Sequence, residues 1–245
     1  STTCHSEIPD KIKQDMSLPV ILGVDEAGRG PVLGPMVYGI AYSLKDQALP
    51  GFDDSKVLKD LKRKELFEAI DSFNLGWATR TMTARDILSG MLRSSLGDGA
   101  YNLNAQAHDT TIQLIKEVLA MGVNVTEIFV DTVGPPVTYQ AKLKSHFPSI
   151  DITVAKKADS IYPIVSAASV VAKVTRDLNL ELYTSTYLKG HSIGSGYPSD
   201  PNTSKWLHAN VDPVFGWLGL VRFLWQTAKD SLKNHQGVEV IYEEE

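Results

Sequence analysis

Short, continuous apolar runs alternate along this chain with longer stretches whose apolar residues recur at helical spacing. The candidate strands are residues 20–24, 36–42, 76–83, 125–130 and 150–155. The candidate helices are residues 59–73, 102–121, 137–147, 163–183, 203–210 and 221–234. Strands come first and then alternate with helices, so the pattern predicts an α/β fold in which helices cover a mixed sheet.

A loop rich in Gly, Ser and Pro interrupts the pattern at residues 189–201, and the chain shows no repeat or linker. We therefore predict a core over residues 1–183. Residues 184–245 are expected to supply a loop and a helical C-terminal region packed on that core. The last eight residues, VEVIYEEE, resemble a strand followed by an acidic tail.

Composition places the chain among ordinary globular proteins. Hydrophobic residues make up 43% and charged residues 22%, which excludes disorder. The longest nearly apolar run is broken by Ser166 and Ser169, so no membrane span is expected. The polar first residues lack the apolar stretch of a signal peptide, and the single Cys4 excludes a disulfide framework. We expect an intracellular protein that is not secreted.

The formal charge of −5 at first argues against a nucleic-acid partner. However, four of the acids lie in the last seven residues, and without them the charge is −1. If four further acids serve as metal ligands, the remaining surface carries +3. The net charge therefore neither supports nor excludes a nucleic-acid partner. That question depends on the local arrangement of charges.

Acidic residues follow the ends of apolar strands. Asp25 and Glu26 follow the first strand, Asp131 follows the fourth, and Asp159 comes shortly after the fifth. Carboxylates at the ends of core strands are costly unless a cation offsets their repulsion and desolvation, and oxygen ligands select Mg²⁺ or Mn²⁺. For a single such acid, capping a helix or starting a turn is the simpler interpretation; for Asp25, Glu26 and Asp131 together, both interpretations stay open. The histidines show no metal-ligand spacing, and we assign no chemistry to His108.

Two known motifs are excluded here: a dinucleotide-binding loop and the motif of aspartyl-phosphate phosphatases. The GRGPVLG loop at residues 28–34 does not open a helix, because Pro31 and Pro35 return the chain into a strand, which excludes a dinucleotide-binding loop. Val133 stands where an aspartyl-phosphate phosphatase needs a second acid after Asp131. Gly28 and Gly30 flank Arg29, so the loop instead favours close approach of a ligand to peptide N–H groups and a guanidinium.

Several ordered motifs together resemble one family. They are DEAGRGPVLGPMVY at 25–38, DSK at 54–56, YNLN at 101–104, DTVGP at 131–135, KADS at 157–160, SAASVVAK at 166–173 and GSGYP at 194–198. These residues resemble the type 2 ribonucleases H over about residues 20–227. VDPVFG at 211–216 and the length are similar to the catalytic subunits of the eukaryotic members.

The resemblance implies an RNase H-like core, a mixed sheet of five strands flanked by helices, followed by a helical C-terminal region. It implies hydrolysis of RNA in RNA–DNA hybrids and nicking of DNA on the 5′ side of an embedded ribonucleotide. Asp25, Glu26, Asp131 and Asp159 would be the catalytic metal ligands for two Mg²⁺ ions, with Mn²⁺ as an alternative. The products would be a 3′-hydroxyl and a 5′-phosphate. The resemblance also implies a nuclear location and two accessory subunits, B and C, bound to the C-terminal part.

Substrate-binding residues also follow from the resemblance. Backbone groups of Gly28, Arg29 and Gly30 would sense the 2′-hydroxyl, the group that distinguishes a ribonucleotide from a deoxyribonucleotide. Tyr197 matches the family tyrosine that stacks on the sugar of the following deoxynucleotide and hydrogen-bonds the 2′-hydroxyl. Without the family match, an aromatic residue packed beneath a Gly/Pro loop is the simpler interpretation of that tyrosine.

Three cations are candidates for phosphate contacts: Lys56, Lys173 and Arg176. A lone lysine is more often a solvated surface residue, but Lys173 follows an apolar helical stretch and should emerge near the acids. Asn102 and Asn104 would contact the substrate or cap the helix that begins there.

Two other functions remain as alternatives. A DNA nuclease or strand-transfer enzyme of the same core fold also uses clustered acids, although it has no use for a 2′-hydroxyl sensor. A protein that binds hybrids without cleaving them would keep the fold, although retention of all four acids disfavours it.

Overall fold

The computed structural model describes residues 1–52, 60–92, 101–188 and 192–237, and within these ranges the chain forms six strands and eight α-helices. The strands are β1 Thr2–His5, β2 Val20–Ala27, β3 Met36–Leu44, β4 Gly76–Met82, β5 Val125–Asp131 and β6 Asp151–Ala155. The helices are α1 Asp10–Gln14, α2 Asp60–Glu68, α3 Ala84–Met91, α4 Leu103–Ala120, α5 Pro136–His146, α6 Pro163–Tyr187, α7 Pro201–Ala209 and α8 Gln226–Asn234. Lys56 and the suggested C-terminal strand lie outside the described residues.

The strands form one mixed sheet in the order β1-β4-β3-β2-β5-β6. Neighbours from β1 to β2 run antiparallel, whereas β2, β5 and β6 run parallel. Val24 of β2 pairs with Val130 of β5, so the residues that follow each of them lie side by side at the same edge of the sheet. This register brings two of the acidic sequence positions together.

The predicted fold class is confirmed, with one strand more than the five expected. The prediction missed β1 because its residues are polar and show no apolar alternation. It is an edge strand: Thr2 pairs with Thr81, Arg80 Nε donates to Thr3 Oγ1 over 2.8 Å, and the terminal amine lies 3.0 Å from Asp86 Oδ2.

Two helix boundaries also differ from the prediction, and one helix was not predicted. The expected helix over 59–73 ends at Glu68, and a short 3₁₀ turn, Ile70–Phe73, follows it and ends at Asn74 with φ 49°. Helix α3 was not predicted; Thr83 and Asp86 form a capping box at its start. The last helix begins at Gln226 instead of 221, because Val221 is bridged to Leu33.

The long helix α6 lies directly against the sheet. A Cβ atom at Gly23 would stand 2.3 Å from Ile164 O, and one at Gly39 would stand 2.6 Å from Ala168 O. Glycine at both positions therefore lets the helix backbone approach β2 and β3 more closely than side chains would allow. This contact fixes the next turns of α6, which carry Lys173, beside the end of β2.

Helices cover both faces of the sheet. On one face, Leu22 and Ile40 pack with Leu114 of α4; on the other, Ala41 packs with Val165 of α6. A third apolar cluster joins the C-terminal region to the rest of the chain through Val32, Leu33, Leu180, Trp206, Leu207 and Val221. The division at residue 183 stays a prediction, and α6 runs across it. No helix among the described residues is long and apolar enough to cross a bilayer.

Candidate active site

The acids at the ends of β2 and β5 line a single cleft of about 440 Å³. Asp25 and Glu26 are near the end of β2, and Asp131 is the last residue of β5. Parallel neighbouring strands deliver their carboxyl ends to the same edge of a sheet, which is why these positions, distant in sequence, meet here. The structure thus brings three of the four predicted acids to one surface.

Asp159 occupies a different position. It lies on the short 3₁₀ turn Ala158–Ser160 after β6 and is only 2% exposed. The amide of Ala158 donates to Asp131 Oδ1 over 2.7 Å, so the turn that carries Asp159 is tied to the third acid. Asp159 itself is not among the residues that line the cleft.

Desolvation dominates the electrostatics of the two acids on β2. Burial raises the pKa of Asp25 to about 7; the charges of Asp131 and Glu26 add to this shift, and hydrogen bonds from Ser169 and the Glu26 amide oppose it. Burial also raises the pKa of Glu26, and the positive charge of Arg29 lowers it in part. These carboxylates are therefore held at a cost in free energy that a bound cation would reduce.

The donor set fits a hard divalent cation, because carboxylate oxygens are the ligands that Mg²⁺ and Mn²⁺ prefer. Within the described ranges, however, no three His, Cys, Asp or Glu side chains are placed so that they hold a metal ion. Successive residues of a strand point to opposite faces, so Asp25 is directed to the Ser169 side and Glu26 to the Arg29 side. The ligand role of these acids stays a prediction.

The loop at residues 28–34 forms the wall of the cleft beside these acids. Gly28 has φ +83°, and a Cβ atom there would stand 2.6 Å from Pro35 O, so only glycine fits this position. Arg29 Nη1 lies 3.5 Å from Glu26 Oε1, and its Nη2 donates to Asn104 Oδ1. The predicted loop residues 28, 29 and 30 all line the cleft.

The two asparagines of YNLN have different roles in the structure. Asn102 caps α4, since its side chain accepts a 2.9 Å hydrogen bond from the Ala105 amide. Asn104 holds the guanidinium of Arg29. Further along the same helix, His108 stacks on Tyr139 with ring centroids 3.8 Å apart.

Sequence reasoning missed Arg222, which is fully buried beneath the 28–34 loop. Its guanidinium donates to three carbonyl oxygens: Gly28 O at 2.7 Å, Arg29 O at 3.1 Å and Gly34 O at 3.1 Å. The guanidinium also lies over the Trp225 ring, 5.1 Å from its centroid. Burial lowers the pKa of Arg222 to about 10, which leaves it charged at neutral pH. Arg222 therefore fixes the backbone of this loop.

Tyr197 and Arg176 form the opposite part of the wall. The guanidinium of Arg176 lies 5.6 Å from the centroid of the Tyr197 ring and donates to Ser195 O. The ring also faces Gly30, where an added Cβ atom would stand 3.4 Å from Tyr197 Cε1. Tyr197 is 41% exposed, so part of the ring remains available to a ligand.

Lys173 lines the cleft as predicted, and so do Arg63 and Asp177, which were not singled out in the sequence. Arg176, predicted to contact phosphate, also lines the cleft; its side chain is 8% exposed and is paired with Asp177 at 3.2 Å, so its phosphate contact stays a prediction. Arg63 belongs to α2, and nothing in the sequence of that helix distinguishes it from the other basic residues as one that lines the cleft. The cleft thus combines four carboxylates with four basic side chains.

Comparison with known proteins agrees with this arrangement. The family model described as Ribonuclease HII matches residues 22–228. A ribonuclease H2 subunit of Schizosaccharomyces pombe is 52% identical over 98% of this chain and 76% of its own length. The crystal structure of ribonuclease H2 from Pyrococcus horikoshii OT3 superposes with a TM-score of 0.71 at 30% identity, over 88% of this chain and 98% of that one.

A more distant structure, Bst-RNase HIII in complex with Mn²⁺, shares the fold with a TM-score of 0.62 at 20% identity, over 90% of this chain and 71% of that one. The mixed sheet, with acids at the ends of its central parallel strands and basic side chains beside them, defines a ribonuclease H-type hydrolase. Within that class, the chain belongs to the ribonuclease HII family.

Proposed function

We propose that this chain hydrolyses the RNA strand of RNA–DNA hybrids and nicks duplex DNA on the 5′ side of an embedded single ribonucleotide. The observation that carries the proposal is the shared cleft: the acids of β2 and β5 lie in it beside a glycine-flanked loop and an exposed tyrosine. Such a site joins groups suited to hydrolysis of a phosphodiester with groups suited to sensing a sugar.

Asp25, Glu26, Asp131 and Asp159 are the residues that would hold two Mg²⁺ ions, with Mn²⁺ as the alternative. When bound, the ions would activate a water molecule and stabilise the charge on the attacking and leaving oxygens; hydrolysis would give a 3′-hydroxyl and a 5′-phosphate. Burial raises the pKa values of Asp25 and Glu26, so their ionised forms are costly without a neighbouring positive charge. A bound cation would supply that charge, which supports this assignment.

The residues around the acids would bind and orient the substrate. The backbone of Gly28, Arg29 and Gly30 would contact the 2′-hydroxyl, because glycines let main-chain donors and acceptors approach it closely. Tyr197 would stack on the sugar of the following deoxynucleotide, and its hydroxyl would hydrogen-bond the 2′-hydroxyl. Lys173 supplies a cation for the phosphates, and we propose the same for Arg176 and for Lys56, which lies outside the described residues.

Partners and location follow from the relatives. Since similar proteins are named as one subunit of ribonuclease H2, we propose that this chain works with accessory subunits B and C, bound to its C-terminal region. We propose a nuclear location, in ribonucleotide excision and RNA primer removal, on the same ground.

The test is an assay on a duplex with one embedded ribonucleotide beside an all-DNA twin, with and without Mg²⁺. It is run on the chain alone and on the chain assembled with subunits B and C. We expect Mg²⁺-dependent cleavage of the first duplex on the 5′ side of the ribonucleotide and none of the second. Equal cleavage of both duplexes would indicate a DNA nuclease of the same fold, and binding without cleavage would indicate a non-catalytic hybrid-binding protein.

Removal of the Tyr197 hydroxyl should weaken recognition of a single ribonucleotide. We expect Tyr197→Phe to lower kcat/KM on that duplex by about tenfold, the effect of one lost hydrogen bond. The melting temperature should stay close to that of the wild type, because the residue is half-exposed. Tyr183→Phe, on α6 in a ring pair with Tyr187, is the matched control and should leave both quantities unchanged. An unaltered kcat/KM in Tyr197→Phe would show that the hydroxyl does not contribute to recognition of the ribonucleotide.

A further inference from the structure

The placement of Tyr197 depends on a short segment that has no regular secondary structure of its own. We call residues 193–197 the tyrosine turn. Its glycines Gly194 and Gly196 have φ +66° and +83°, and the turn lies between the 28–34 loop and the start of α7. Glycine reaches these φ values without strain but is also flexible, so hydrogen bonds from neighbouring segments are needed to hold the turn in one conformation.

Thr203 holds the turn from the α7 side. This residue is fully buried, and its hydroxyl accepts a 2.9 Å hydrogen bond from the Gly196 amide while donating to Ile193 O over 2.8 Å. One side chain thus satisfies polar groups at both ends of the segment that leads to Tyr197. Valine has the same shape as threonine but makes neither hydrogen bond.

Asp200 adds a second anchor. Its Oδ2 accepts from the Ser195 amide at 2.7 Å, while its Oδ1 caps α7 by accepting from the Asn202 amide at 2.9 Å. The Asp200 amide in turn donates to Tyr197 O over 3.0 Å. The same carboxylate therefore fixes both the helix start and the residue before Gly196.

The other side of the turn is bonded to the wall of the cleft. The carbonyl oxygen of Gly196 accepts from the amides of Val32 and Leu33 at 2.9 and 3.2 Å. A Cβ atom at Gly196 would stand 2.7 Å from Leu33 O, so this contact requires glycine. The peptide before Tyr197 is thereby clamped between Thr203 and the 28–34 loop, and this clamp determines where the tyrosine ring faces Gly30.

We propose that Thr203 and Asp200 are positioning residues that set the selectivity for a single ribonucleotide by fixing the tyrosine turn. This inference rests on the proposed function. It adds that selectivity depends on hydrogen bonds made by α7, outside the cleft. Neither residue lines the cleft, so each is expected to act through Tyr197.

The test is a double-mutant cycle that joins Thr203→Val with Tyr197→Ala. We expect Thr203→Val to lower kcat/KM on the single-ribonucleotide duplex by about tenfold and on a continuous RNA–DNA hybrid by less than about threefold. In the Tyr197→Ala background, the same substitution should change neither rate by more than about twofold, because the residue through which it acts is gone. Thr203→Ser, which keeps the hydroxyl, should restore most of the selectivity.

Ser231→Ala is the matched control. Ser231 is a fully buried residue of α8 whose hydroxyl bonds His208 Nδ1 on α7 at 2.9 Å, so its loss weakens the same region without touching the tyrosine turn. We expect it to lower the melting temperature as Thr203→Val does and to leave the selectivity ratio unchanged. A tenfold loss that persists in the Tyr197→Ala background, or an equal loss of selectivity in Ser231→Ala, would overturn the inference.

Failure of the proposed function gives a different result. A wild-type protein that does not distinguish the ribonucleotide duplex from its DNA twin contradicts that function alone. The clamp is then judged by hydrogen exchange of the Gly196 amide in the unmodified and variant proteins. Exchange about tenfold faster in Thr203→Val, and unchanged in Ser231→Ala, supports the positioning role; unchanged exchange in Thr203→Val overturns it.

Discussion

We expect Asp25→Asn to lower Mg²⁺-supported cleavage by at least about 10²–10³-fold, the effect of removing several kcal/mol of charge stabilisation from the reacting phosphate. Asn has the same shape as Asp but supplies no negative charge to hold a cation. The measurement is the single-turnover rate on the ribonucleotide duplex at saturating protein. Asp151→Asn, at an exposed acid that begins β6, is the control and should cleave like the wild type.

The same variant should be more stable than the wild type when metal is absent. Asp25 has a folded-state pKa of about 7, above its ordinary value of 3.8, so its contribution to stability is fully present below about pH 4 and is lost as the pH rises through 7. At pH 8 the ionised carboxylate costs on the order of a few kcal/mol, and Asn avoids this cost. Thermal melts in EDTA at pH 8 measure the difference. An active Asp25→Asn protein, or one that is less stable than the wild type in EDTA, would contradict the assignment.

Arg222→Met should produce the largest loss of stability among the variants considered. Three carbonyl oxygens lose their donor at once: those of Gly28 and Gly34, where the hydrogen bond is buried, and that of Arg29, where it is partly buried. Since each unsatisfied buried group costs about 1–3 kcal/mol, we expect the free energy of unfolding to fall by about 3 kcal/mol or more. Urea denaturation monitored by tryptophan fluorescence measures it.

Cleavage by Arg222→Met should also fall, because the loop that carries Arg29 loses its fixed backbone. Arg222→Lys should recover little, since one ammonium group cannot reproduce the planar fork that reaches three carbonyls. The control is Arg80→Met, which removes contacts to Thr3 and Glu117 at a partly exposed site and should cost about 1 kcal/mol or less. Similar losses of unfolding free energy in Arg222→Met and Arg80→Met would mean that the buried hydrogen bonds of Arg222 contribute no more to stability than the partly exposed contacts of Arg80.

The sequence predicted what depends on local pattern. The strand ends that carry Asp25, Glu26 and Asp131 were identifiable because these acids directly follow apolar runs. Parallel pairing of β2 with β5 then brings the strand ends together. Asp159 had a weaker signal, since it lies on a short turn that no periodicity marks. The glycine loop was indicated by Gly28 and Gly30 on either side of Arg29, whereas Tyr197 was found through the family resemblance. The structure places both on the same cleft as the acids.

What the sequence did not predict depends on contacts between distant segments. Arg222 binds carbonyls 188–194 residues earlier in the chain, and an isolated arginine in a C-terminal segment gives no sign of that. Strand β1 forms because β4 offers it an open edge. Thr203 and Asp200 look like ordinary helix-start residues, and only the fold shows that they also hold the tyrosine turn.

The burial of Arg222 under the 28–34 loop has a consequence for how this enzyme can be divided. A fragment ending at residue 183 keeps every acid of the β2 and β5 strand ends, yet it lacks both the guanidinium that shapes the loop and the tyrosine that faces it. We therefore expect such a fragment to lose the shape of the 28–34 loop, so that the acids and the proposed sugar-sensing groups cannot be transferred separately to another scaffold. Insertions or fusions that preserve function belong at sites that leave the C-terminal region joined to the first third of the chain.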